Sequence, residues 1–188
     1  MLNFLKTCME KDQKKKMVNK DDQKYVPRGK RVPKLTECKI STLTRLFLSY
    51  INVNRRNKSD LLGVIENLYG NERLPLIIDV VDDEKWNFKN IAEAIYQPQD
   101  FTITLPNSVY EGMMAGDTND LFIFLHEVGH CFLAHGQNIM HYESDTPMTS
   151  DEDAEVQADR FAASVMKHLG IKNDDRQLSL FEKEDLLR

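Results

Sequence analysis

Apolar residues Ile40, Leu43, Leu46, Phe47, Tyr50 and Ile51 recur at helical spacing and predict a helix over about 40–53. The polar NRRNK loop follows. A second helix is predicted from about 60 to 69, with Ser59 as its N-cap and Gly70 just past its end. Leu76-Ile77-Ile78 and Val80-Val81, entered through Pro75, read as a strand. The stretch IAEAIYQPQDFTITLP reads as two strands around Pro98 and Gln99, with a helix over 90–96 as the competing reading. A long apolar helix is predicted to start near Thr118–Asp120 and to stop at Gly136. The last helix is punctuated at both ends. Ser150 can cap it, Asp151, Glu152 and Asp153 fill its first turn, Lys167 and His168 its last, and Gly170 ends it. That charge order complements the helix dipole. Helices, then a small sheet, then a helix pair predict a compact α+β domain, zincin-like, with a mostly antiparallel sheet packed on helices.

Composition changes this picture at the ends. The 188 residues are 41% hydrophobic, which suits one domain with room for tails. No apolar run approaches the roughly 18 residues that span a bilayer, so no membrane is expected. The N-terminal stretch MLNFLKTCMEKDQKKK lacks the layout of a signal peptide. Three scattered cysteines, Cys8, Cys38 and Cys131, argue against a disulfide framework and fit a reducing cytoplasm. The net charge of -5 is unevenly spread. Residues 1–34 carry 11 basic and 4 acidic side chains, the remainder 14 and 26. Residues 1–34 are therefore expected to form a basic, flexible arm, with contact to nucleic acid or an acidic partner as its functional reading. Its aromatics are Phe4 and Tyr25, too few to favour base stacking. Residues 35–170 form the domain and 171–188 a polar tail.

The chemistry sits in 124-FLHEVGHCFLAHG-136, which contains H-E-x-x-H. Residues four apart share a helix face, so His126 and His130 can address one ion. Glu127 is rotated enough to address water beside that ion instead. A catalytic zinc keeps one position open and can bring the pKa of water from about 15.7 toward about 7, with Glu127 as general base. A third ligand is needed. The pattern H-E-x-x-H-x-x-G-x-x-H is excluded because Leu133 and Gly136 occupy its Gly and His positions. His135 misses the register and is expected to cap the helix end or face solvent. An acidic ligand on the last helix is the other solution. Glu155 in 155-EVQADRFA-162 is the best candidate, while Glu152 and Asp153 compete but suit capping better. Asp159, one turn on, could accept a hydrogen bond from the far nitrogen of a ligating histidine. Ala158, Phe161 and Ala162 would pack the two helices, and Ala158 with Gly129 would let them approach closely. Cys131 is read as a small buried residue.

Taken together, 126-HEVGH-130, 155-EVQADRFA-162 and the upstream FTITLP strand resemble the ImmA/IrrE family of zinc metallopeptidases, over roughly residues 60–170. The resemblance implies a gluzincin-like fold with His126, His130 and Glu155 on one Zn2+ and Glu127 as base. It also implies a protein substrate, since members cleave or control DNA-binding repressors of mobile elements, antitoxins or stress regulators. Family members commonly carry Asn where this chain has Asp159. That Asp is more like other gluzincins.

The FTITLP strand would offer an edge for an extended substrate. Tyr110, His141 and Tyr142 are candidate oxyanion donors. In the tail, 177-QLSLF-181 looks like the short motif with which bacterial proteins bind the replication sliding clamp, through Gln177, Leu178, Leu180 and Phe181. An amphipathic tail folded back on the domain is the alternative. The expected function is a cytoplasmic zinc endopeptidase that cleaves a helix-turn-helix repressor or antitoxin, recruited to DNA through the clamp. The competing readings are a DNA–protein crosslink protease of Spartan/SprT-like type and a non-catalytic, zinc-stabilised adaptor.

Overall fold

The computed structural model describes residues 25–67, 76–89, 91–136 and 146–172. Among them are five α-helices and a three-stranded sheet: α1 Glu37–Tyr50, α2 Leu61–Glu66, β1 Ile77–Val81, β2 Ile95–Gln97, β3 Thr102–Pro106, α3 Asn107–Ala115, α4 Thr118–Phe132 and α5 Ala154–Leu169. The domain is α+β, as the pattern predicts. No helix among the described residues is long and apolar enough to cross a membrane.

α1 begins three residues earlier than expected because the Thr36 side chain accepts a hydrogen bond from the Lys39 N–H. Its buried face is Ile40, Thr44, Phe47 and Leu48, whereas Leu46 and Tyr50 are exposed. The Thr44 hydroxyl satisfies itself on the Ile40 carbonyl, 3.0 Å away, so this polar residue belongs to the core. Ser59 does not cap α2; it sits inside a single 3-10 turn, Lys58–Asp60, that leads into the helix. Residues 68–70, where that helix was expected to end, lie outside the described residues.

The sheet order is β1-β3-β2, so the FTITLP strand is central and both its edges are paired. This corrects its reading as a substrate edge. The sheet is also mixed rather than mostly antiparallel. β1 runs parallel to β3 over five residue pairs, and β2 runs antiparallel to β3 over three. Central position explains the near-continuous apolar burial of Thr102, Ile103, Leu105 and Pro106. The strand reading of 95–106 holds, and the competing helix over 90–96 does not form. Helix α3 was not anticipated. It follows β3 directly, with Pro106 as its N-cap residue, and buries only Val109 and Met113.

α4 and α5 pack face to face, with α1 covering them. Phe47, Phe132 and Phe161 meet edge to face or tilted, with ring centroids 5.2–5.7 Å apart. At the head of α5 the capping differs in detail from the reading. Thr149 and Glu152 form a capping box on the 3-10 turn Ser150–Glu152. Asp153 then caps α5 itself by accepting from the Glu155 N–H at 2.9 Å. Gly170 ends α5 in the left-handed conformation, as predicted.

Residues 25–34, the last part of the segment read as a flexible arm, are docked as a strap across the head of α5. The Asp153 carboxylate is fully buried and accepts from the Tyr25 hydroxyl (2.8 Å), the Arg28 N–H (2.7 Å) and the Gly29 N–H (3.2 Å). Arg31 pairs with Glu152, and Val32 and Leu35 donate backbone bonds to the Glu152 and Asp151 carbonyls. Residues 1–24 and 173–188, including Cys8 and 177-QLSLF-181, lie outside the described residues. Cys131 is a buried free thiol, in keeping with its reading as a small buried residue.

Burial alone would raise the Asp153 pKa, but the N–H and O–H donors from Arg28, Tyr25, Gly29 and Glu155 outweigh it and hold the carboxyl below its ordinary value. A depressed folded-state pKa contributes stability above the unfolded value and loses it as pH falls through the folded one. Chemical denaturation should therefore show stability falling as pH drops below about 4, the ordinary carboxylate range. The Asp153→Ala variant should lose about 3 kcal/mol at pH 7 and much of that acid dependence.

Candidate metal centre

The site is built by two helices that approach unusually closely. A Cβ added at Gly129 on α4 would lie 3.2 Å from the Phe161 ring and 3.3 Å from the Ala158 backbone on α5. Ala158, Phe161 and Ala162 are fully buried at this contact. The small pair read from the sequence thus sets the helix spacing, and the spacing brings Glu155 to the histidines.

His126 and His130 lie one turn apart on α4, and their Nε2 atoms are 3.0 Å from each other. Glu155 Oε2 lies 3.2 Å from His126 Nε2, and Oε1 lies 3.6 Å from His130 Nε2. Four ligands around zinc at bonds of about 2.0–2.1 Å in a tetrahedron stand about 3.3–3.4 Å apart. The observed separations, to one or the other oxygen of Glu155, lie close to that value, so these side chains could hold a metal ion between them. Two imidazoles and one carboxylate suit zinc, and they also suit other first-row divalent ions.

The far side of His126 is fixed as the sequence suggested. Its Nδ1 lies 2.8 Å from Asp159 Oδ1, and the other Asp159 oxygen takes Arg28 Nη1 at 2.6 Å. Arg28 comes from the strap and had no role in the sequence reading. A carboxylate oxygen only accepts, so Nδ1 of His126 carries a proton and donates it to Asp159. Burial pushes the His126 pKa down, but hydrogen bonds to Asp159 and Glu155 override this and raise it to about 10. The two histidines hold Glu155 well below the usual carboxylate range against the opposing effect of burial.

Glu127 stands beside the triangle, outside the ligand set. Its Oε2 accepts from the Tyr96 N–H on β2 at 2.7 Å. Burial raises its pKa, and the neighbouring histidines only partly offset that. Among the described residues β2 is the edge strand beside α4, so the sheet edge at the site is Ile95–Gln97 and not FTITLP.

His135 departs most from expectation. It neither caps the helix nor faces solvent; it is buried, with Nδ1 3.0 Å from His130 Nδ1 and Nε2 3.0 Å from Gln157 Oε1. The cause is local. α4 ends at Phe132, and Ala134 takes φ 57°, so that the Ala134 N–H bonds to the Cys131 carbonyl and the His135 N–H to the His130 carbonyl. This Schellman turn swings His135 back under His130. Burial is the main cause that lowers its pKa, to about 4. Among the proposed oxyanion donors, Tyr110 is tied to Glu66 at 2.6 Å, and His141 and Tyr142 lie outside the described residues. The competing ligands Glu152 and Asp153 are engaged by the strap and by capping.

No family model, curated protein or solved structure matches the chain.

Replacing Gly129 with Val should overpack the contact with the Ala158 backbone. The expected loss is about 2–3 kcal/mol in urea denaturation, together with weaker divalent-metal binding as Glu155 is pushed away. Unchanged stability would show that the helix contact is looser than described.

Proposed function

We propose that this chain is a zinc-dependent endopeptidase. The observation that carries the reading is the triangle of His126 Nε2, His130 Nε2 and a Glu155 carboxylate, with Glu127 beside it and outside it. When bound there, the ion would supply a Lewis acid for a peptide carbonyl and lower the pKa of water. His126, His130 and Glu155 would hold it, and Asp159 would orient His126. Glu127 would take the proton of the attacking water and return it to the leaving amine nitrogen. The Tyr96 N–H keeps the carboxylate in place beside the edge strand. An extended substrate would add to the outer edge of β2, where backbone hydrogen bonds carry affinity and side-chain pockets carry selectivity.

The substrate is proposed to be a protein regulator, a helix-turn-helix repressor or antitoxin, in keeping with the resemblance to the ImmA/IrrE peptidases. Recruitment through the sliding clamp rests on the sequence of Gln177, Leu178, Leu180 and Phe181 alone. A purely adaptor role is disfavoured by Glu127: a structural ion has no use for a buried base that it does not bind.

Incubating the zinc-loaded protein with a helix-turn-helix protein encoded beside it should yield discrete fragments. The Glu127→Gln variant should retain one zinc per chain while kcat/KM falls on the order of a hundred- to ten-thousand-fold. Wild-type cleavage rates in that variant would overturn the assigned role. Changing Gln177 and Phe181 together to Ala should abolish capture by the sliding clamp and leave peptide hydrolysis unchanged.

A further inference from the structure

The second histidine of the triangle is oriented by a relay that the proposed peptidase chemistry does not require by itself. It runs from His130 through His135 and Gln157 to the strap. Gln157 is buried on α5, and its amide can be oriented from its partners. The Nε2 group donates to the Pro33 carbonyl at 2.9 Å and to the Asp151 carbonyl at 2.7 Å. Both partners only accept, so both amide hydrogens are committed and Oε1 must face His135. His135 Nε2 therefore carries the hydrogen and donates to Gln157 Oε1 at 3.0 Å. Buried, with an amide oxygen and an imidazole as its hydrogen-bond partners, His135 is neutral and presents a bare Nδ1, which can only accept. The 3.0 Å contact with His130 Nδ1 requires His130 to donate there. A neutral His130 with its hydrogen on Nδ1 has a bare Nε2, the nitrogen that points at His126 and Glu155.

We infer that His135 and Gln157 are positioning residues for the metal centre: they fix His130 in the one tautomer that leaves Nε2 free to bind an ion. The inference rests on the reading of the triangle as a zinc site. It also gives the strap a role at both ligands. Arg28 meets the Asp159–His126 arm, and the Pro33 carbonyl anchors the Gln157–His135–His130 arm. Neither connection touches the ion, and the outer partners of ligating histidines tune affinity by roughly 10–100-fold.

Long-range proton–nitrogen NMR of the imidazoles in the metal-free wild-type chain reads the tautomers directly. The expected spectrum has His135 protonated on Nε2 and His130 protonated on Nδ1. Protonation of neutral His130 on Nε2 would overturn the inference, whatever any variant does. Zinc affinity, measured by competition with a chromophoric chelator, supplies the second arm. Gln157→Met keeps the side-chain length and removes the amide, and His135→Phe keeps a ring and removes both nitrogens. Each should bind zinc roughly 10–100-fold more weakly, and the visible spectrum of the cobalt-loaded form should shift. Folded variants that bind zinc as tightly as wild type, with an unshifted cobalt spectrum, would refute the relay. If wild type itself binds no zinc, the peptidase reading fails, while the tautomer spectrum still decides whether the relay exists.

Discussion

Two imidazole nitrogens 3.0 Å apart, with carboxylate oxygens 3.2 and 3.6 Å from them, favour a positive charge between them. The lone pairs and the anion repel each other in a half-buried setting where the effective dielectric is low. The domain is arranged around meeting that demand. Hydrogen bonds from His126 to Asp159 and Glu155 express it: they raise the His126 pKa against the opposing effect of burial. His126, His130 and Glu155 could also hold a divalent ion there, whose charge would serve the same need.

Holding such a cluster together needs rigidity on every side. The close contact of Gly129 with Ala158 fixes the distance between α4 and α5. The strap binds the head of α5 through the buried Asp153, and Gly29 approaches Glu155 so closely that an added Cβ would sit 2.6 Å from its Cγ. Arg28 adds a positive charge behind Asp159, so the carboxylate behind His126 is itself neutralised. The edge strand reaches the site through the Tyr96 N–H. Thus the elements that would bind a peptide and the elements that would bind a metal share one framework.

Much of this was legible in the sequence because it follows helical periodicity. His126 and His130 share a face at any spacing of four, and Glu155 with Asp159 repeat the same step on the partner helix. The small residues Gly129 and Ala158 signal close approach without any knowledge of the fold. What was not legible depends on contacts far apart in the chain or on unusual backbone. His135 is out of register for a helix and reaches His130 only because Ala134, with no glycine to announce it, adopts a left-handed conformation. The strap reads as a charged, proline-containing arm because its partner Asp153 lies 125 residues from Arg28. The order β1-β3-β2 is equally hidden: local patterning marks strands but does not say which one lies in the middle. The basic segment 1–24 and the QLSLF tail keep their sequence readings only.

His126, His130 and Glu155 stand where one ion could be held between them. X-ray absorption at the zinc edge of the stoichiometrically loaded protein tests it most directly. The expected spectrum shows one zinc per chain in four-coordinate nitrogen and oxygen ligation at about 2.0–2.1 Å, with the scattering signature of two imidazoles that falls to one in His130→Ala. A sulfur shell, a six-oxygen hydrated ion, or an imidazole count unaffected by that substitution would contradict it.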